Sequence, residues 1–216
     1  MKHDVILFDL DGTLTDPALG ICSCVQYALK KYGMEAGPLS DYFSWIGPPL
    51  AWSFETKAGV PQEDAMKLVG FYRERFSEIG LFENEVYPGI TEMLEELKTR
   101  GARMAVATGK PTVYSTRILE KFGLLPYFEC VSGSSLTDHS PSKHHIISHA
   151  LMEMGIEDLS RCIMVGDRVH DAEGAASVGT DFVGVLYGYG SREELENAGA
   201  KDIVSTVDQL HTFLLA

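Results

Sequence analysis

Four consecutive apolar residues, Val5-Ile6-Leu7-Phe8, stop abruptly at Asp9-Leu10-Asp11-Gly12-Thr13. A short unbroken apolar run of this kind marks a parallel strand buried on both faces. A different period comes next. Apolar residues at 18, 21, 22, 25, 28, 29 and 32 share one helical face, with Asp16-Pro17 as an N-cap and first-turn proline and Gly33 as the stop. Segments 39–46, 49–58 and 61–80 also read as helices, separated by turns at Gly47-Pro48-Pro49 and Gly59-Val60-Pro61. From residue 89 helix and strand alternate. A helix with Ile90, Met93, Leu94 and Leu97 on one face is closed by Gly101. Strand 102–107, helix 111–122, strand 127–131 and helix 142–154 come after it, then strand 162–166, helix 171–178, strand 181–186 and a last helix over 206–215. Such alternation predicts an α/β fold, a mostly parallel sheet with helices on both faces and right-handed crossovers.

The spacing of the first two strands sets the domain organisation. A strand–helix–strand crossover takes about 30 residues, yet the second apolar strand begins only at 102. The excess is helical and forms an inserted unit over 16–83, leaving 1–15 and 84–216 as the α/β core. An insertion next to the acidic loop is well placed to act as a lid.

Composition narrows the class. The apolar fraction of 45% suits a globular core, and no repeat or low-complexity segment stands out. A net charge of −13 argues against nucleic acid or an anionic membrane as partner. No apolar run is long enough to span a bilayer, and Lys2-His3-Asp4 is unlike a signal peptide. Cys22, Cys24, Cys130 and Cys162 lack metal-ligand or disulfide spacing, so reduced thiols in a cytoplasmic protein are expected. No interface patch is legible, and the expectation is a monomer or weak dimer.

The chemistry lies in the residues just past each strand. Asp9 and Asp11 end the first, and carboxylates so close repel unless one is protonated or a cation lies between them. Mg²⁺ would supply that cation and a phosphate ester the substrate. The second strand ends in Thr108-Gly109-Lys110. Lys143 begins the helix after the third, and the fourth ends in Gly166-Asp167, with Asp171 four residues on. In open α/β sheets these loop ends gather at one edge, where ligands bind.

On these residues the chain resembles the haloacid dehalogenase superfamily, in its phosphatase branch with an α-helical cap. Asp9-Leu10-Asp11-Gly12-Thr13-Leu14-Thr15 matches that family's first motif, Thr108 the second, Lys143 the third and Gly166-Asp167-Arg168-Val169-His170-Asp171 the fourth. Trp45-Ile46-Gly47-Pro48-Pro49-Leu50 and Ala107-Thr108-Gly109-Lys110-Pro111 bring it near phosphoglycolate phosphatase-like and 5′-nucleotidase-like proteins. The resemblance implies a Rossmann-like core with an inserted helical cap and a Mg²⁺-dependent phosphatase of a small phosphorylated metabolite. Asp9 would be the nucleophile, forming an aspartyl-phosphate, and Asp11 the general acid and base. Thr108, Gly109 and Lys143 would neutralise phosphate oxygens, with Lys110 competing for that role. Gly12, Thr13, Gly47 and Pro48 would border the substrate. Asp9, Asp11, Asp167 and Asp171 would form the metal site.

Blander roles are expected elsewhere. His139, His144, His145, His149 and His170 read as a solvated helix face and site rim, Arg73 and Arg75 as a solvated face, and Trp45 and Trp52 as core of the insertion. Two rival functions remain. A phosphomutase of the β-phosphoglucomutase type would carry a histidine where Ile21 stands. A non-catalytic regulatory protein of the same fold would have lost the nucleophile or the metal acids.

Overall fold

The computed structural model describes residues 1–137 and 142–216. In chain order the main elements are β1 (Val5–Phe8), α1 (Ala18–Tyr32), α2 (Leu50–Ala58), α3 (Gln62–Phe76) and α4 (Ile90–Thr99). They continue with β2 (Arg103–Pro111), α5 (Thr112–Lys121), β3 (Cys130–Ser134), α6 (Lys143–Glu153), β4 (Cys162–Gly166) and α7 (Val169–Val178). The chain ends with β5 (Asp181–Val185), α8 (Arg192–Asn197), β6 (Asp202–Val204) and α9 (Val207–Leu215). It divides into two units, Met1–Asp16 with Val86–Ala216, and Pro17–Glu85.

β1 sits inside a six-stranded parallel sheet of order β3-β2-β1-β4-β5-β6. Its four residues are apolar throughout because both faces are covered. The parallel register aligns Leu7 with Ala105 on one side and Met164 on the other. Val5, Leu7, Ala105, Ala107, Cys162 and Met164 therefore share the face covered by Ile146, Ile147, Ala150 and Leu151 of α6. On the opposite face Phe8 meets Phe128 edge to face, 6.2 Å between ring centroids. Chain order reverses between β1 and β4, so the loops after these strands open at the switch point where doubly wound sheets bind ligands.

The helical unit has its own core. Val25, Ala28 and Leu29 of α1 and Leu68, Val69, Tyr72 and Phe76 of α3 are buried. Trp45 packs edge to face on both Tyr42 and Phe54. Gly20 permits a close backbone passage, since a Cβ there would lie 2.1 Å from the Gly80 carbonyl oxygen.

Several elements depart from the sequence expectation. Residues 39–46 form a 3₁₀ helix, Leu39–Trp45, and the helix expected to reach 80 ends at Phe76, with a separate 3₁₀ turn at Gly80–Phe82. Asp16 is not an N-cap. Pro17 holds that position without a side-chain cap, and the Asp16 carboxylate accepts from the Tyr189 hydroxyl instead. The third strand is shifted from 127–131 to Cys130–Ser134, because Leu125–Tyr127 forms a 3₁₀ turn. α8 and β6 were not expected; six and three residues give too little periodicity to detect. Trp52 is not core but 49% exposed, with the Lys57 ammonium 5.7 Å from its ring centroid. Arg75 is no solvated residue either: its guanidinium makes a two-pronged pair with Glu83, at 2.6 and 2.9 Å.

Candidate active site

Asp9 leaves β1 with its amide still bonded to the Val165 carbonyl of β4, so the first acidic loop starts in sheet register. Gly12 then turns the chain at φ 82°, and a Cβ at that position would lie 2.3 Å from Asp167 Oδ2. Only glycine satisfies both the left-handed backbone and the approach of a carboxylate.

Asp9, Asp167 and Asp171 each present an oxygen within 4.8 Å of the others. This is the only group of potential metal ligands of three or more among the described residues. Lys143, at the first turn of α6, sends its ammonium between two of them, 3.0 Å from Asp9 Oδ1 and 2.6 Å from Asp171 Oδ1. Its stem lies over Gly174 of α7, where a Cβ would come within 2.8 Å of it. Asp9 Oδ1 also accepts from the Leu10 amide at 2.8 Å. Among the described residues no hydrogen bond reaches Asp9 Oδ2. Asp171 Oδ2 accepts from the Arg168 amide at 3.1 Å, which caps α7. Asp167 is fully buried; its Oδ2 accepts from the Tyr189 amide at 2.7 Å, while Oδ1 has no partner among the described residues.

The electrostatics reflect this crowding. Burial pushes the Asp171 carboxyl up to about 6, against the pull of Lys143 and with the repulsion of Asp9. Burial, then Asp171 and Asp9, drive Asp167 well above the usual carboxylate range. Burial works against the charge on Lys143, but Asp171 and Asp9 outweigh it and hold the ammonium protonated. A buried carboxylate with an empty oxygen beside two others is costly unless a cation neutralises it. The donors are all oxygen, which fits Mg²⁺ better than a metal that selects nitrogen or sulfur.

Asp11 stands with a different lysine. Lys110 Nζ lies 2.6 Å from Asp11 Oδ2 and 2.9 Å from Oδ1. Burial raises the Asp11 pKa while Lys110 lowers it. Lys110 comes from an irregular end of β2, where Ala107 pairs with Ser132 but Pro111 pairs with Ser134. Thr108-Gly109-Lys110 bulges out there, and Gly133 makes room, since a Cβ on it would meet the Lys110 carbonyl oxygen at 2.4 Å. Thr108 is buried and its hydroxyl accepts from the Lys110 amide at 3.3 Å; Gly109 is exposed.

Thr13 is fully buried, its hydroxyl without a partner among the described residues, and its carbonyl accepts from the Tyr187 hydroxyl at 3.0 Å. Gly47 and Pro48 belong to the helical unit, Gly47 with φ 106°. His144 and His145 both lie against the Ser142 hydroxyl, and His170 is exposed near Glu173. His139, with Ser140 and Pro141, lies outside the described residues. Sequence reasoning missed Gly133, Gly174 and the segment Tyr187-Gly188-Tyr189-Gly190. The last had a visible signal, a glycine-rich aromatic stretch directly after an apolar strand.

Known proteins share this architecture. The sequence profile of the family described as "Haloacid dehalogenase-like hydrolase" matches residues 6–185. A Pseudomonas aeruginosa protein named 5′-nucleotidase is 42% identical, covering 90% of this chain and 88% of its own. A Mycobacterium tuberculosis protein named tyrosine-protein kinase PtkA is 36% identical over 97% of this chain and 72% of its own. A Caulobacter vibrioides protein named phosphoglycolate phosphatase is 35% identical over 98% and 90%. The crystal structure of a predicted phosphatase from Clostridium acetobutylicum superposes with a TM-score of 0.94 at 43% identity, covering 100% of this chain and 99% of that one. No described helix is long and apolar enough to cross a membrane. The chain belongs to the haloacid dehalogenase-like hydrolases, as a phosphatase.

Proposed function

We propose that the protein is a Mg²⁺-dependent phosphatase of a small phosphorylated metabolite, working through an aspartyl-phosphate on Asp9. The observation that carries this reading is the placement of Asp9: one oxygen is held by Lys143 and the Leu10 amide, and Oδ2 is left to attack. Asp9 Oδ2 forms a bond to phosphorus as the bond to the leaving alcohol breaks, and Asp11 gives that oxygen its proton. Water then attacks the phosphorus, Asp11 takes a proton back, and phosphate leaves. Burial favours the protonated form of Asp11 and Lys110 favours the ionised one, opposed influences suited to a group that must alternate.

Asp9, Asp167 and Asp171, with the Asp11 main-chain carbonyl, would hold the Mg²⁺, and Oδ1 of Asp167 is the buried oxygen it would satisfy. When bound, the ion offsets the repulsion among the carboxylates and the charge of the phosphate. Thr108, Gly109 and Lys143 contribute donors to the phosphate oxygens, and Lys110 stands on the Asp11 side, where the leaving group departs. Substrates of the phosphoglycolate or 5′-nucleotide type are supported by the names of the relatives, and the helical unit, with Gly47 and Pro48, serves as the cap that selects among them. A cytoplasmic location accords with four free cysteines.

The decisive experiment is Asp9→Asn. Release of phosphate from p-nitrophenyl phosphate should fall by about 10³-fold or more, with the circular dichroism spectrum unchanged. Turnover near that of the wild type would remove Asp9 as nucleophile. A panel of phosphorylated metabolites ranked by kcat/KM then identifies the leaving group.

A further inference from the structure

The segment Tyr187-Gly188-Tyr189-Gly190, between β5 and α8, contributes no group to the reaction above, yet it closes on Asp167 at several points. The Tyr189 amide donates to Asp167 Oδ2 at 2.7 Å. A Cβ on Gly188 would lie 2.3 Å from the Gly12 carbonyl oxygen and 2.5 Å from Asp167 Cβ. A Cβ on Gly190 would lie 1.8 Å from the Asp167 carbonyl oxygen. The backbone of this segment therefore touches both acid-bearing loops, with no space for side chains in between.

Two phenols fasten it. The Tyr187 hydroxyl donates to the Thr13 carbonyl at 3.0 Å, just past the Asp9–Gly12 turn. The Tyr189 hydroxyl donates to the Asp16 carboxylate, at the end of the same loop. The Tyr187 ring is held edge to face by Tyr87 at 5.0 Å. One short segment thus ties the loop after β1 to the loop after β4.

We propose that Tyr187–Gly190 is a strap that sets the separation of Asp9 and Asp167 for a divalent cation, with Tyr187 and Tyr189 as positioning residues. This rests on the Mg²⁺ reading above. The strap uses Oδ2 of Asp167 and leaves the buried Oδ1 unpartnered. A loop serving stability alone has no reason to orient a buried carboxylate with one oxygen unsatisfied. A loop that presents that oxygen to a cation does. Outer partners of metal ligands commonly govern affinity by about 10- to 100-fold when removed.

The test uses Tyr187→Phe, Tyr189→Phe and the double variant in the full chain, which remove two hydroxyls and change little volume. Mn²⁺ serves as probe, its dissociation constant measured by electron paramagnetic resonance without substrate, beside melting curves in chelator. The expected result is a weakening of Mn²⁺ binding by several-fold in each single variant and by about tenfold or more in the double. Saturating metal should restore most of kcat. A merely structural role predicts lower melting in chelator with a Mn²⁺ dissociation constant within about twofold of wild type, and that outcome in the single variants overturns the strap. Failure of the wild type to bind Mn²⁺ at all would overturn the metal reading, and the strap with it.

Discussion

In the α/β unit, Asp167 and Asp171 are 0% and 1% exposed, and Lys143 is buried between carboxylates. In the helical unit the ion pair Lys31–Glu74 lies at the surface, and even the two-pronged Arg75–Glu83 pair is only partly buried. The core of the helical unit is instead aromatic and aliphatic, with Tyr42, Trp45, Phe54, Tyr72 and Phe76 sealed inside. A helical unit of this size can bury its apolar face and leave charge in water, which costs little. Three carboxylates and an ammonium withdrawn from water cost far more, and their mutual attraction does not fully offset it. The difference teaches where to look for chemistry: the α/β unit keeps an arrangement that stability alone would not select.

The strongest way to break this contrast is Lys143→Met. The metal-free variant should lose about 3–5 kcal/mol, because Asp9 and Asp171 are left buried without their counter-ion. Urea unfolding in chelator measures this, and a loss below about 1 kcal/mol would show that the cluster is well solvated. Added Mg²⁺ should recover part of the loss, since it supplies charge to the same carboxylates.

A pH series sharpens the contrast. The folded Asp171 carboxyl titrates near 6, above the unfolded value of 3.8, and Asp167 is raised as well. Below the unfolded value both states hold the proton and this contribution to stability is complete. Between there and the folded value the native state holds more protons, so stability falls as pH rises through about 6. The metal-free protein should therefore melt higher at pH 5 than at pH 7.5, and Mg²⁺ should narrow the gap. The lowered carboxyls Glu74, Glu96, Glu129, Asp158, Asp181 and Glu194 act in the opposite direction, but below their ordinary values of 4.5 for glutamate and 3.8 for aspartate, outside that interval. Melting that rises steadily from pH 5 to 7.5 in chelator would contradict the burial argument.

The smallest effect belongs to the helical unit. Lys31→Ala removes a surface pair with Glu74 and should leave the melting temperature within the error of the scan, in chelator and in Mg²⁺ alike. A drop comparable to that of Lys143→Met would erase the distinction between the two units.

Legibility in the sequence divides along the same boundary. β1, β2 and β4 were readable because a strand buried on both faces must be continuously apolar; Asp9, Asp11, Thr108 and Asp167 stand where such runs end, and Lys143 and Asp171 lie in the first turns of the helices that follow. The helical stretch was readable as helices, but which of its residues are buried was not, because Trp45 and Trp52 look alike in sequence and only packing makes one buried and the other exposed.

What the sequence determined by itself was periodic or terminal: the α/β alternation, the run of helices between β1 and β2 and the acids at strand ends. These are local consequences of burial pattern and turn chemistry, which a linear reading captures. Only the tertiary structure decided that Lys143 pairs with Asp9 and Asp171 while Lys110 pairs with Asp11. It alone showed that Gly188 and Gly190 are pressed against Asp167 and that Asp16 is held by Tyr189. Those relations join residues far apart in the chain. Sheet order and crossover geometry bring them together, and the residues' own neighbours in sequence carry no trace of it.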